Sequence, residues 1–216
     1  MFLIIVLISW IILIIAITIH EFSHAFVADK LGDPTPKLTG RLTLNPINHL
    51  DIFGTVLLPL MALLSGSYFL IGWAKPVQID PFNLRNPKKD NMMISLAGPI
   101  SNLLLAITLS ILIQLPFIGL LDYWFIGLFE RLIQINVVLA IFNLIPIHPL
   151  DGFSVVAGLM PKKYYSDWLS FSSYGMLFLI LLIFPFFGNS PISAIISPVV
   201  NLILSILLPT HNSGII

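Results

Sequence analysis

Five stretches of this 216-residue chain contain no Asp, Glu, Lys or Arg: residues 1–20, 52–74, 91–121, 132–150 and 168–210. About 20 apolar residues are enough for a helix to span the hydrocarbon of a bilayer. These runs limit the possible folds more than any single motif does. Only 9% of the residues are charged and 57% are hydrophobic, whereas soluble domains carry about a quarter charged residues. The expected class is an all-α polytopic membrane protein.

The runs place helices near 2–29, 91–115 and 123–147 as a core, with peripheral helices near 166–186 and 192–208. The last run is long enough for two passes, and Gly188, Asn189 and Pro191 in FPFFGNSP suit the turn between them. The N-terminal MFLIIVLISWIILIIAITI lacks a basic start and a small-residue cleavage site, so it reads as a retained first helix. Alternation of Leu42 and Leu44 with Thr43 and Asn45 in RLTLN suggests a short strand, part of a small sheet at the membrane face. No repeat or low-complexity tract is present, so residues 1–216 are expected to form a single membrane-embedded domain.

Segment 52–72 decides the topology. If it crosses the bilayer, the two basic loops face opposite sides. If it enters and returns, nine of the ten Lys and Arg residues share one face and Arg131 stands apart. Cytoplasmic loops favour Lys and Arg. The expectation is therefore about five transmembrane helices plus a re-entrant 52–72, bent at Pro59 or Ser65-Gly66. The N-terminus would lie outside and the C-terminus in the cytoplasm, in a cell or inner membrane. His20 precedes Lys30 by ten residues, about 15 Å along a helix, which puts it inside the membrane nearer the cytoplasmic face.

Net charge is zero and cysteine is absent. Nothing points to nucleic acid, and a metal would have to be held by His, Asp or Glu. The apolar opening ends in HEFSH, with His20, Glu21 and His24 inside five residues. Ionisable groups in a bilayer are costly and mark function by default. His20 and His24, four residues apart, share a helix face and can grip one ion. H-E-x-x-H is the helical pattern of zinc hydrolases, with the Glu as general base. The structural alternative is a polar helix face bonded within a bundle. A catalytic zinc takes three protein ligands, and the candidate third is Asp151 in NLIPIHPLDG, where Pro146 and Pro149 break the helix. An Asp-Gly pair by itself is ordinarily a turn.

HEFSH followed far downstream by N-x-x-P-x-x-P-L-D-G resembles the site-2 protease family of intramembrane zinc metalloproteases. GRLTLNPINHLDIFGT, GWAKPV and SLAGPISN resemble its short prokaryotic branch, without PDZ or CBS domains. The resemblance implies one zinc per chain on His20, His24 and Asp151, and Glu21 as catalytic base and acid. It also implies that Asn143 holds substrate or the oxyanion. The implied partners are a membrane-spanning protein or peptide as substrate, and the lipid bilayer. His148, where relatives often carry proline, is either a competing ligand or a neighbour of the site, and the neighbour is favoured. His49 either approaches the site or caps loop structure, the latter favoured. His211 is expected in a solvated tail. Gly98, Pro99 and Asn102 read as scaffold: small residues for close helix approach, and an Asn bonding across helices. The rival functions are a metal-ion transporter or channel using the same groups, and an inactive scaffold.

Overall fold

The computed structural model describes residues 2–57, 74–115, 123–184 and 190–208. Helix α1 spans Phe2–Leu31, an apolar run without proline or glycine. It stops at Gly32, whose φ of +107° suits a residue lacking Cβ. A short α2, Thr35–Leu38, follows. Helix α3, Pro87–Ile113, opens with proline at its first turn, where the missing N–H costs nothing. Asp90 Oδ2 accepts from Asn86 N at 2.7 Å, closing the helix start. Helix α4 covers Tyr123–Asn143 and ends before Pro146.

The last third of the chain forms four shorter helices: α5 (Asp151–Leu159), α6 (Lys162–Ser170), α7 (Ser172–Ile183) and α8 (Pro191–Leu207). Three helices are long and apolar enough to cross a membrane: α1 over Val6–Leu31, α3, and α4 over Trp124–Asn143. Helices α6 and α7 together make a fourth candidate, bent by 59°.

The centre is two ladders at i+4 spacing. Ala16, His20, His24 and Ala28 form the buried ladder of α1. Ile94, Gly98, Asn102, Ala106 and Ser110 form that of α3. They run antiparallel, with Ala28 against Ile94 at one end and Ala16 O bonded to Asn102 at the other. Alanine and glycine let the backbones approach closely. Helix α4 closes the group through Ile133 and Val137, which pack with Ala106, Val200 and Leu208. Ile145, Leu150, Leu179 and Ile192 form a second apolar cluster under the loop that follows α4.

Three sequence expectations are corrected. RLTLN is not a strand, and among the described residues there is no sheet, only an isolated antiparallel bridge between Leu50 and Ala74. The Thr43 hydroxyl accepts from Asn45 N, and the Asn45 side chain accepts from Ile47 N. Such local bonds compete with strand pairing. The count of about five spans falls to three or four among the described residues, because α8 is shorter than the three long spans α1, α3 and α4. The helix expected at 166–186 is broken at Phe171. Trp168 of α6 stacks on Phe153 of α5 at 5.1 Å and donates its indole N–H to Phe153 O at 3.0 Å. That anchors α6 across α5 instead of in line with α7.

Segment 52–72 is described only at its start, a π-helical turn over Ile52–Leu57. Its remainder, including Pro59 and Ser65-Gly66, and the tail with His211 lie outside the described residues. The two chain ends flanking residues 51–73 meet: Leu50 bridges Ala74, and Lys75 N donates to His49 O at 3.0 Å. Trp10 of α1 donates to Thr55 O at 2.8 Å.

Candidate metal centre

The α1 ladder brings His20 and His24 to one face, with ring centroids 4.6 Å apart and planes at 84°. Helix α4 ends at Asn143, the loop carrying Pro146 and Pro149 turns back, and α5 begins with Asp151. Asp151 Oδ2 lies 3.0 Å from His20 Nε2 and 3.3 Å from His24 Nε2. One donor atom from each of the three residues falls within 4.8 Å of the others. Tetrahedral zinc with bonds of about 2.0–2.1 Å holds its ligand atoms roughly 3.3 Å apart, so this donor set fits such an ion. Both histidines are buried, and the Asp151 side chain keeps 19% of its surface exposed.

Each imidazole is held from behind. His24 Nδ1 lies 2.6 Å from the carbonyl of Ile94, and His20 Nδ1 lies 2.6 Å from Asn102 Oδ1. A carbonyl can only accept, so Nδ1 of His24 carries a proton, which leaves its Nε2 as the ring atom that can offer a lone pair to an ion. Glycines make the approach possible. A Cβ on Gly98 would fall within 3.0 Å of His24 Nε2 and His20 Cε1. A Cβ on Gly152 would collide with the Leu144 and Ile145 carbonyl oxygens, so the Asp-Gly pair is the condition for the α4–α5 loop to close behind Asp151.

Glu21 is half-buried and projects about 100° around α1 from His20. Its Oε2 accepts from the backbone N–H of Val77 at 3.2 Å. Val77 belongs to an extended strap, residues 75–80, fastened at both ends. Arg41 donates through Nη1 to Asn48 O and to Lys75 O. At the far end Asp33, with no solvent exposure, accepts from Thr35 Oγ1 (2.6 Å), Asn83 Nδ2 (2.9 Å), Thr35 N (3.0 Å) and Asp80 N (2.8 Å). Burial alone would raise the Asp33 pKa. The hydrogen bonds outweigh it and hold the carboxyl below its ordinary 3.8.

The other sequence candidates fall outside the cluster. The Asn143 side chain donates to Leu139 O at 2.9 Å, one turn back on its own helix. His148 is exposed and meets Phe153 edge-on at 5.6 Å, so it is a neighbour of the α5 start. His49 is fully buried in the loop, 2.8 Å from Thr43 O through Nε2. Four supports were not expected from sequence. Asn102 and Gly98 touch the imidazoles directly, although AGPISN read as scaffold. The Ile94 carbonyl and the Val77 amide are main-chain groups that no residue pattern announces.

A polytopic helical protein whose buried helix carries H-E-x-x-H against an aspartate belongs to the class of membrane metallohydrolases in its architecture. Residues 8–131 match Peptidase family M50, and the chain belongs to that family. It is 41% identical over 180 residues to "Putative zinc metalloprotease YwhC" of Bacillus subtilis, covering 80% of this chain and 78% of that protein. It is 30% identical over 154 residues to "Putative zinc metalloprotease Rip2" of Mycolicibacterium smegmatis, covering 71% of this chain and 56% of that one. With "Zinc metalloprotease MJ0392" of Methanocaldococcus jannaschii it shares 26% identity over 155 residues, 72% of this chain and 35% of that protein. No solved structure matches the chain.

Proposed function

We propose that this chain is a zinc metalloendopeptidase that hydrolyses a peptide bond in or beside the transmembrane segment of a membrane-anchored substrate. The observation that carries the reading is the convergence of His20 Nε2 and His24 Nε2 on Asp151 Oδ2, with Glu21 next to His20 on the same helix. His20, His24 and Asp151 would hold one zinc, which supplies Lewis acidity to water and to the scissile carbonyl. Glu21 takes a proton from the attacking water and gives it to the leaving nitrogen. The Val77 N–H keeps the resting Glu21 carboxylate oriented. Asn143 stands at the end of α4, eight residues before Asp151; to reach a substrate it has to release Leu139 O.

A substrate helix hides its amides in its own hydrogen bonds, so it must unwind locally before cleavage. Water reaches the site from the side of the 31–51 and 75–90 loops. The expected re-entry of segment 52–72 is supported by the residues that flank it: Leu50 bridges Ala74, and a single crossing would separate those two. With that topology nine of ten Lys and Arg lie on the cytoplasmic side, and the site sits about 15 Å along α1 from Lys30. The 216 residues act as one domain.

The test is purified full-length protein in detergent, assayed for bound zinc and for cleavage of a synthetic transmembrane peptide. Wild type is expected to bind one zinc and to cleave. Glu21→Gln is expected to keep zinc and lose cleavage, and Asp151→Ala to lose zinc. Wild-type protein that binds zinc but cleaves no membrane-anchored peptide, and transports zinc equally well with Glu21→Gln, would replace this reading with transport.

A further inference from the structure

Two asparagines meet between the three longest helices, a costly placement for amides that only complete hydrogen bonding makes tolerable. Asn102 of α3 and Asn136 of α4 both have no solvent exposure. Asn102 Oδ1 lies 2.6 Å from His20 Nδ1. Asn102 Nδ2 donates to Ala16 O at 3.1 Å and to Asn136 Oδ1 at 2.7 Å. Asn136 Nδ2 donates to Leu132 O at 2.8 Å.

We propose that Asn102 and Asn136 form a relay that sets the tautomer of His20, with Asn136 a positioning residue that never touches the metal site. The inference rests on the metal reading above. Its logic is the direction of the hydrogen bonds. An amide presents an oxygen that accepts and a nitrogen that donates, and its neighbours decide which faces which way. Leu132 O is a main-chain carbonyl, so Asn136 must turn Nδ2 toward it and Oδ1 toward Asn102. Ala16 O is also a carbonyl, so Asn102 must turn Nδ2 toward both Ala16 O and Asn136 Oδ1. Only Oδ1 of Asn102 is left for His20. Nδ1 of His20 therefore carries a proton, which leaves Nε2 to present its lone pair to an ion. A flipped Asn102 would offer N–H to Nδ1, move the proton to Nε2 and block ligation. His24 reaches the same state directly through the Ile94 carbonyl. His20 reaches it through two side chains anchored on α1 and α4 carbonyls.

If the asparagines served only to join helices, removing one would lower stability and leave the His20 tautomer alone. The test reads the tautomer. Full-length Asp151→Ala protein, which lacks the carboxylate that competes for the ring proton at His20 Nε2 (3.0 Å), is labelled with ¹⁵N-histidine and examined metal-free in detergent, at alkaline pH where the ring is neutral, by long-range ¹H–¹⁵N correlation. His20 is expected there in the Nδ1–H form. Adding Asn136→Leu removes the acceptor that orients Asn102, so a substantial Nε2–H fraction is expected to appear. With Asp151 in place, competition with a chelator is expected to show zinc binding weakened about 10-fold for Asn136→Leu, and about 10–100-fold for Asn102→Leu, the range for partners behind a metal-bound histidine. Ser110→Ala, which removes a buried bond to Leu207 O elsewhere on α3, is expected to leave both readouts unchanged. His20 in the Nε2–H form in folded Asp151→Ala, with both asparagines present, overturns the relay. Folded Asn136→Leu with an unchanged tautomer and zinc affinity within twofold of wild type overturns it too. Wild type that binds no zinc defeats the peptidase reading, while the tautomer still decides the relay.

Discussion

Gly98→Ala is the smallest change that tests the geometry of the metal centre. The added methyl would lie within 3.0 Å of ring atoms of both His20 and His24. Neither ring is free to move aside, since each is held from behind, by Asn102 Oδ1 and by Ile94 O at 2.6 Å. The helices must separate or the rings must leave their hydrogen bonds. Inserting a methylene into a close-packed site costs about 1–3 kcal/mol. Because the strain sits on the ligands themselves, it is expected in metal affinity, as roughly a 5- to 150-fold rise in the zinc Kd at about 1.4 kcal/mol per tenfold. Alanine also favours the helix over glycine by about 1 kcal/mol, which partly masks the clash in a melting curve. Gly127→Ala on α4 supplies the correction: its Cβ meets nothing within 4 Å, so it carries the helix gain without a clash. The assay is chelator competition on both variants, with thermal unfolding alongside. Zinc bound by folded Gly98→Ala within twofold of wild type would refute the reasoning, because the Nε2 atoms would then not be where the clash requires them.

Other outcomes follow from the same geometry. Glu21→Gln is expected to cut peptide cleavage by at least about 100-fold, the low end for loss of a general base, with zinc affinity unchanged in the competition assay. Gly152→Ala is expected to lower both zinc affinity and melting temperature, since its Cβ meets the Leu144 and Ile145 backbone, which yields less than a side chain. Asp33 is held below its ordinary pKa of 3.8, so its contribution is complete above the unfolded value and lost as pH falls through the folded one. Hydrogen exchange at the Asp80 and Thr35 amides is expected to accelerate as pH falls below about 3.8. Asp33→Ala is expected to show fast exchange at every pH.

The long helices were legible because lipid imposes a length: α1 spans Phe2–Leu31 against an expected 2–29, α3 Pro87–Ile113 against 91–115, and α4 Tyr123–Asn143 against 123–147. His20, His24 and Asp151 were legible for a related reason, since an ionisable group beside apolar sequence requires a partner. The break at Phe171 was not. Nor was the bond that the Asn143 side chain makes back to Leu139 O, since an asparagine at a helix end can bond to its own helix as easily as forward. The bend at Phe171 comes from Trp168 stacking on Phe153, fifteen residues earlier in the chain, which hydropathy does not register. RLTLN shows the limit of alternation as a signal: one threonine hydroxyl and one asparagine amide were enough to turn it into loop.

The grip of Val77 on Glu21 is made by the peptide bond, a donor that every residue except proline contributes. Replacing the Val77 side chain leaves that donor in place, so Val77→Ala would score the contact as silent however much depends on it. Evolution has the same licence to vary that side chain, and the contact is visible only to a change that edits the backbone itself, such as proline at position 77.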